Sequence, residues 1–390
     1  MAHVLSSFAK TDEQRERLSR IGDLADSFVQ GAHAADEVNG FSYTHIEKLR
    51  QAGYTAYTVP REYGGEGISI YELVLYQERL AQGDPSIALG MGWHLGVMYD
   101  LGDKRSWQEE IFARLCKEVV ASGAIVNRAA SEAATGSPSR GGKPLTTAIP
   151  AGNGYRLYGR KTFTTMAPVL GYAIVTATEQ DTNRQGEYLI PMSTKGVTVE
   201  ETWNMLGMRG TGSHDLVLDG VEVPREALVH TYSEADHQTA NPFMLQIPAC
   251  YLGIALAARK EALAFAASYQ PNSLDRPILY TPNVGQLLGQ IDLELLAARH
   301  FLYSAAARWD EPTRESEAFI PELAAVKTFA VQTALSVVDK AMRIVGAQGL
   351  AQSHPLQRLY RDVRFGLHNP PMDDHTIRLL SQSAIKEVEL

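Results

Sequence analysis

The stretch YRDVRFGLHNPPMDDHTIRLL, residues 360–380, holds an imidazole, two prolines and two adjacent carboxylates where a proton could be moved. His368 could exchange a proton near neutral pH. Asp373 and Asp374 could serve as a base. They could equally cap the helix that opens at HTIRLL, because free N–H groups and the helix dipole favour a carboxylate there. Far upstream, GRKTFTT sets Phe163 two residues before Thr165, and strand alternation turns both to one face. An aromatic wall beside a hydroxyl suits a flat heteroaromatic ring with polar edge atoms. A core Phe beside a surface Thr is the plain alternative.

The elements that must hold these residues fall into three textures. In residues 1–117, stretches such as THIEKLRQAGY and IYELVLYQERLAQ repeat apolar residues at three and four, which predicts an all-α domain. Residues 118–235 change to short apolar or alternating runs (VVASGAIV, YRLYGRKTFTT, GYAIVTAT, EYLIPM, DLVLDGVEVP) broken by Gly, Pro and Asn, the pattern of a β domain. From 236 to 390 long Ala- and Leu-rich helical patterns return, which predicts a helical bundle. Three loops stand out. VPREYGGEGIS carries glycines 64, 65 and 67, and SEAATGSPSRGG is a Gly/Ser turn that could hold a polar ligand on backbone N–H groups and Ser137. MLGMRGTGSHDLVLDGVEVP is a Gly-rich turn running into a strand.

Composition narrows the function classes. With 45% hydrophobic and 21% charged residues the chain is globular, and no apolar run approaches the roughly 18 residues a membrane helix needs. The N-terminus lacks the order of a signal peptide, so a cytoplasmic location is expected. A net charge of −9 argues against general nucleic-acid binding, and Cys116 and Cys250 lack metal or redox spacing. A small-molecule partner is expected, with no metal, membrane or nucleic acid.

YGGEG, SEAATGS, GRKTFTT, LGMRGTGSHDLVLDGVEVP and RIVGAQGLAQSHPLQRLYRDVR occur in the order and approximate spacing of the acyl-CoA dehydrogenase superfamily, which the chain resembles over nearly its whole length. The resemblance implies an α+β fold: an N-terminal helical domain, a central β-barrel-like domain and a C-terminal four-helix bundle. It implies a flavin between β domain and bundle, FAD with FMN left open, and a homotetramer built from dimers. Ala130 and Ser131 then match a loop on the flavin ring, Gly136 and Ser137 flank cofactor and substrate, and Phe163 and Thr165 take the aromatic and hydroxyl positions at the redox edge. Arg343, Gly346 and Ala347 match a segment that meets the neighbouring subunit's cofactor. Arg276 stands for the Arg that reaches a diphosphate, although the expected R-x-x-F-G reads RPILY here.

The departures concern the chemistry. The family's usual Glu base comes nine residues after the Arg of R-D, and that count from Arg361 reaches Pro370. The alternative position on an earlier bundle helix reads Gln246, followed by Ile247 where an Arg is frequent. In the family's arrangement His94, in MGWHLG, lies near the pocket. His94, Thr165 and His368 together resemble the polar set of a branch that hydroxylates small molecules with reduced flavin and dioxygen. Three activities follow as expectations: α,β-dehydrogenation of an acyl-CoA-type thioester, the family's commonest reaction and the leading expectation; monooxygenation fed by a flavin reductase; or a non-catalytic flavin-binding scaffold. The first two imply an electron-transfer or reductase partner.

Overall fold

The structure is a computed structural model that describes residues 8–135, 142–233, 239–312 and 319–389; Gly136 and Ser137 lie outside this set. Five helices come first: α1 (Asp12–Glu37), α2 (Tyr43–Gln51), α3 (Ile70–Leu80), α4 (Pro85–Lys104) and α5 (Glu109–Ser122). Their starts follow from local chemistry. Thr11 and Gln14 form a capping box on α1, Ser69 and Glu72 form another on α3, and Asp84 caps α4 ahead of Pro85 at its first position.

Among the described residues eight strands follow: β1 (Ile125–Ala129), β2 (Thr147–Ala151), β3 (Gly154–Thr164), β4 (Leu170–Glu179), β5 (Gln185–Pro191), β6 (Val197–Glu200), β7 (His214–Pro224) and β8 (Leu228–Thr231). They form one sheet in the order β6-β7-β3-β2-β4-β5-β8, with β1 pairing parallel to β4. The remaining helices are α6 (Gln246–Ser268), α7 (Pro282–Trp309), α8 (Phe319–Val345), α9 (Pro355–Val363) and α10 (Asp373–Glu389). Helices, a β sheet and then a helical bundle give the expected α+β architecture.

α6 is the centre of the main core. Thirteen consecutive positions are nearly all buried, from Gln246 to Ala258 with Leu256 as the half-buried exception, which is why its apolar residues run all round the helix instead of along one stripe. Close approach to the first domain depends on Gly92 of α4, where an added Cβ would strike the side chains of Gln246 and Gln77. On the far side Asp310, just past α7, accepts from the free amides of Ile70 and Tyr71 at 3.1 and 2.9 Å, so the bundle caps α3 as well as packing on it.

Candidate active site

β3 leaves its ladder with β7 at one point. Lys161 pairs with Leu216 and Thr164 with His214, so three steps on β3 answer two on β7, a bulge. Within it Phe163 has φ +55°, a left-handed conformation that costs a non-glycine residue about 1–2 kcal/mol. The bulge turns the ring outward, leaving it 56% exposed and edge-on to Trp203 with centroids 5.8 Å apart. Trp203 in turn meets Phe365 at 5.9 Å. Phe365 lies in a short 3₁₀ turn, Arg364–His368, where residues three apart eclipse. His368 is therefore one turn along the same face, and it is exposed. The next residue, Asn369, accepts from the buried Tyr251 hydroxyl of α6 at 2.5 Å, which fastens this turn to the bundle.

Thr165 is held from three sides. Its N–H donates to Phe163 O at 2.9 Å, its carbonyl accepts from Asn127 Nδ2 at 3.1 Å, and its hydroxyl lies 2.9 Å from that of Ser213. Ser213 lies 2.8 Å from the Thr211 hydroxyl, which donates to Met208 O at 3.0 Å. Each hydroxyl has one proton. With the Thr211 proton on a carbonyl, Ser213 must donate to Thr211 and Thr165 to Ser213. The open side of Thr165 Oγ1 consequently presents lone pairs and no proton.

The loop 203–213 is built around the backbone of Met208. Its N–H donates to Asp362 Oδ1 at 2.6 Å, and its carbonyl also accepts from Trp203 Nε1 at 3.0 Å. Asp362 is 1% exposed, and burial pushes its carboxyl up to about 6 against the pull of Arg358 and the Met208 amide. Beside it Arg361 pairs with Asp36 of α1 and donates to Leu206 O at 2.7 Å.

The remaining predicted residues divide sharply. His94 is fully buried; Nδ1 accepts from Val126 N–H at 3.0 Å and Nε2 donates to Thr55 O at 2.9 Å. No ring nitrogen is left for a ligand, and burial lowers its pKa to about 4, so the ring is a neutral bolt between α4, β1 and the turn at Thr55. Asp373 accepts from Thr328 at 3.3 Å and from Gln332 at 2.8 Å on α8, docking α10 there, with Asp374 beside it in the first turn. Gln246 is fully buried, 3.3 Å from Gln77 Nε2. Arg276 is exposed and stacked over Tyr280 at 4.9 Å. Arg343, Gly346 and Ala347 are exposed at the end of α8 and the turn after it, while half-buried Ser131, beside Ala130, accepts from Thr162 N–H at 2.9 Å. The structure thus brings Ser131 against the backbone of β3 beside Phe163 and ties Thr165 to Phe163 through the backbone, with the His368 turn reached through Trp203 and Phe365. Sequence reading missed Trp203, Met208, Ser213 and Asp362; three of these lie in or beside the Gly-rich turn MLGMRGTGSH, whose glycines were the available signal.

An exposed ring on a bulge and a hydroxyl oriented beside it fit a planar redox cofactor, and the three-part architecture carrying them is that of a flavin-dependent oxidoreductase. Residues 11–105, 127–221 and 245–369 match the N-terminal, middle and C-terminal domains of acyl-CoA dehydrogenase, and the chain belongs to this family. It is 50% identical to YdbM of Bacillus subtilis strain 168 over 98% of this chain and all of YdbM. It is 28% identical to the 3-(aryl)acrylate reductase of Clostridium sporogenes (90% of this chain, 93% of the relative) and to the amino sugar nitrososynthase DnmZ of Streptomyces peucetius (89% and 88%). Among solved structures, a KijD3 complex with FMN and dTDP-3-amino-2,3,6-trideoxy-4-keto-3-methyl-D-glucose superposes with a TM-score of 0.85 at 25% identity, covering 99% of this chain and 97% of that one.

Proposed function

We propose that the protein is a monooxygenase that works with reduced flavin and dioxygen on a small molecule. Reduced flavin supplies two electrons to dioxygen, so that one oxygen atom enters the substrate and the other leaves as water. The observation that carries the reading is that Pro370 and the buried Gln246 stand at the two positions of the family's base, while the proton order Thr165 to Ser213 to Thr211 to Met208 O makes Thr165 Oγ1 an acceptor on its open side. A reduced flavin bears a proton on the nitrogen of its redox edge and an oxidised one does not, so this acceptor favours the reduced form. Phe163 supplies the wall, and His368 is the group able to give or take a proton at the open face.

Dehydrogenation of a thioester, the leading expectation from the sequence, would need a carboxylate in reach of the substrate's α carbon. Pro370 and the sealed Gln246 cannot act so, and Asp362 and Asp373 are committed to Met208 and to α8. Relatives point both ways: nitrososynthases at 27–28% identity support the oxygenase reading, while YdbM at 50%, described as an acyl-CoA dehydrogenase, and a benzylmalonyl-CoA dehydrogenase at 27% support the other. FAD or FMN would be delivered reduced by a separate reductase. A second copy of the chain would cover the exposed Arg343, Gly346, Ala347 and Leu350, as in a homotetramer.

The deciding experiment supplies the protein with a flavin reductase, NADH and oxygen-18 gas, using amino sugar nucleotides and small aromatic heterocycles as substrates. Labelled oxygen in product is expected. Anaerobic bleaching of protein-bound oxidised flavin by an acyl-CoA, with no label incorporated, would overturn the proposal in favour of dehydrogenation.

A further inference from the structure

The wall that presents Phe163 and Thr165 rests on a buried ion pair with no part in the chemistry above. Lys161, two residues before Phe163, is 0% exposed, and Glu132, the residue after Ser131, is 5% exposed. Lys161 Nζ lies 2.6 Å from Glu132 Oε1 and donates to Thr176 at 3.1 Å. Glu132 Oε1 also accepts from the amide and hydroxyl of Thr146 at 3.0 and 2.7 Å, and Oε2 from the Leu145 amide at 2.7 Å. Burial would raise this carboxyl, but Lys161 and Thr146 more than offset it and hold it below its ordinary value.

The geometry has a specific consequence. One carboxylate ties residue 132 to residues 145–146 and to β3, while Thr162 N–H meets Ser131 O at 2.9 Å, each the sequence neighbour of one charge. The bulge at Phe163 has given up its pairing with β7 at that point and is left-handed, so its own strand ladder does not hold it. A buried ion pair adds little net stability over an apolar pair of the same shape, but it fixes register.

We propose that Glu132 and Lys161 form a positioning clasp that locks the Ala130–Ser131 segment to the Phe163 bulge and thereby sets how tightly the protein holds flavin. The inference rests on a flavin lying against these two segments, and not on which reaction it performs. Three forms are compared, wild type, Lys161→Met and the neutral double variant Glu132→Gln/Lys161→Met, by apo-protein melting and by FMN and FAD titration through flavin fluorescence quenching. Lys161→Met should lower the melting temperature and weaken flavin binding about tenfold or more. The double variant, which leaves no buried charge unpaired, should recover most of the melting temperature yet keep the weakened binding. Thr146→Val, which removes one of the donors to Glu132 and leaves the ion pair in place, should lower the melting temperature less than Lys161→Met and weaken binding severalfold, and keeps the test decisive if the charge variants fail to fold. Wild-type affinity in a folded double variant, or in Thr146→Val if that alone folds, overturns the clasp while leaving the flavin reading intact. Wild-type protein that retains no flavin overturns both.

Discussion

Ser213 decides what Thr165 can offer. A threonine hydroxyl alone rotates freely and could donate to an oxidised flavin; here its proton is spent on Ser213, because Thr211 has already donated to Met208. Ser213→Ala releases that proton. A net hydrogen bond is worth about 1 kcal/mol, so the ratio of reduced to oxidised flavin affinity should fall about fivefold, measured by titrating each form anaerobically. An unchanged ratio would show that Thr165 does not read the redox edge. In the turn beyond Trp203 and Phe365, His368→Ala should leave flavin affinity nearly unchanged and lower turnover about a hundredfold, the low end for loss of a positioned acid or base. Turnover unchanged with the true substrate would remove His368 from the active set.

At the scale of elements, His94 is informative because its imidazole joins α4 to β1 while staying neutral. Its folded pKa, about 4, lies below the ordinary 6.5, so between these values the unfolded chain binds the extra proton. Stability from this group is complete above the ordinary value and is lost as pH falls through the window, about 2 kcal/mol of it by about pH 5. Urea unfolding of wild type and His94→Gln at several pH values should give stability curves that converge as the medium acidifies; parallel curves would mean that folding does not change the ring's proton affinity. Such a role was not legible in the sequence. Helical spacing in THIEKLRQAGY and IYELVLYQERLAQ reports apolar faces and locates α2 and α3, and short alternating runs locate the strands, because burial has a period. Which backbone N–H and C=O face a histidine 32 residues from one and 39 from the other has no period. For the same reason alternation could not foresee the bulge, which interrupts the period of two between Lys161 and Thr165 and exposes the Phe163 ring, and Ser213 looked like a turn residue because one of its two partners, Thr165, lies just past the end of another strand.

In the whole molecule, three segments far apart in sequence meet where Arg361 of α9 pairs with Asp36 of α1 and holds the Leu206 carbonyl, one residue from Asp362 on the Met208 amide. This joint couples the first helix, the loop that orients the hydroxyl chain and the helix leading to His368. Its side chains are mostly buried, 19% and 8% exposed for Arg361 and Asp36, so removing Arg361 leaves a buried carboxylate with Arg209, 3.9 Å away, as its remaining ion-pair partner among the described residues. Arg361→Ala should cost about 3 kcal/mol in urea unfolding, the size found when a buried pair is broken. Because Met208 also accepts from Trp203 and Thr211, the same variant should weaken flavin binding and lower the preference for reduced flavin without touching either wall. Arg156→Ala breaks an ion pair between β3 and β7 whose partners are 45% and 69% exposed, and should change neither quantity measurably, since solvent already screens that pair. Equal losses in the two variants would show that the joint is an ordinary surface contact, and that the hydroxyl order at Thr165 is held by the loop alone.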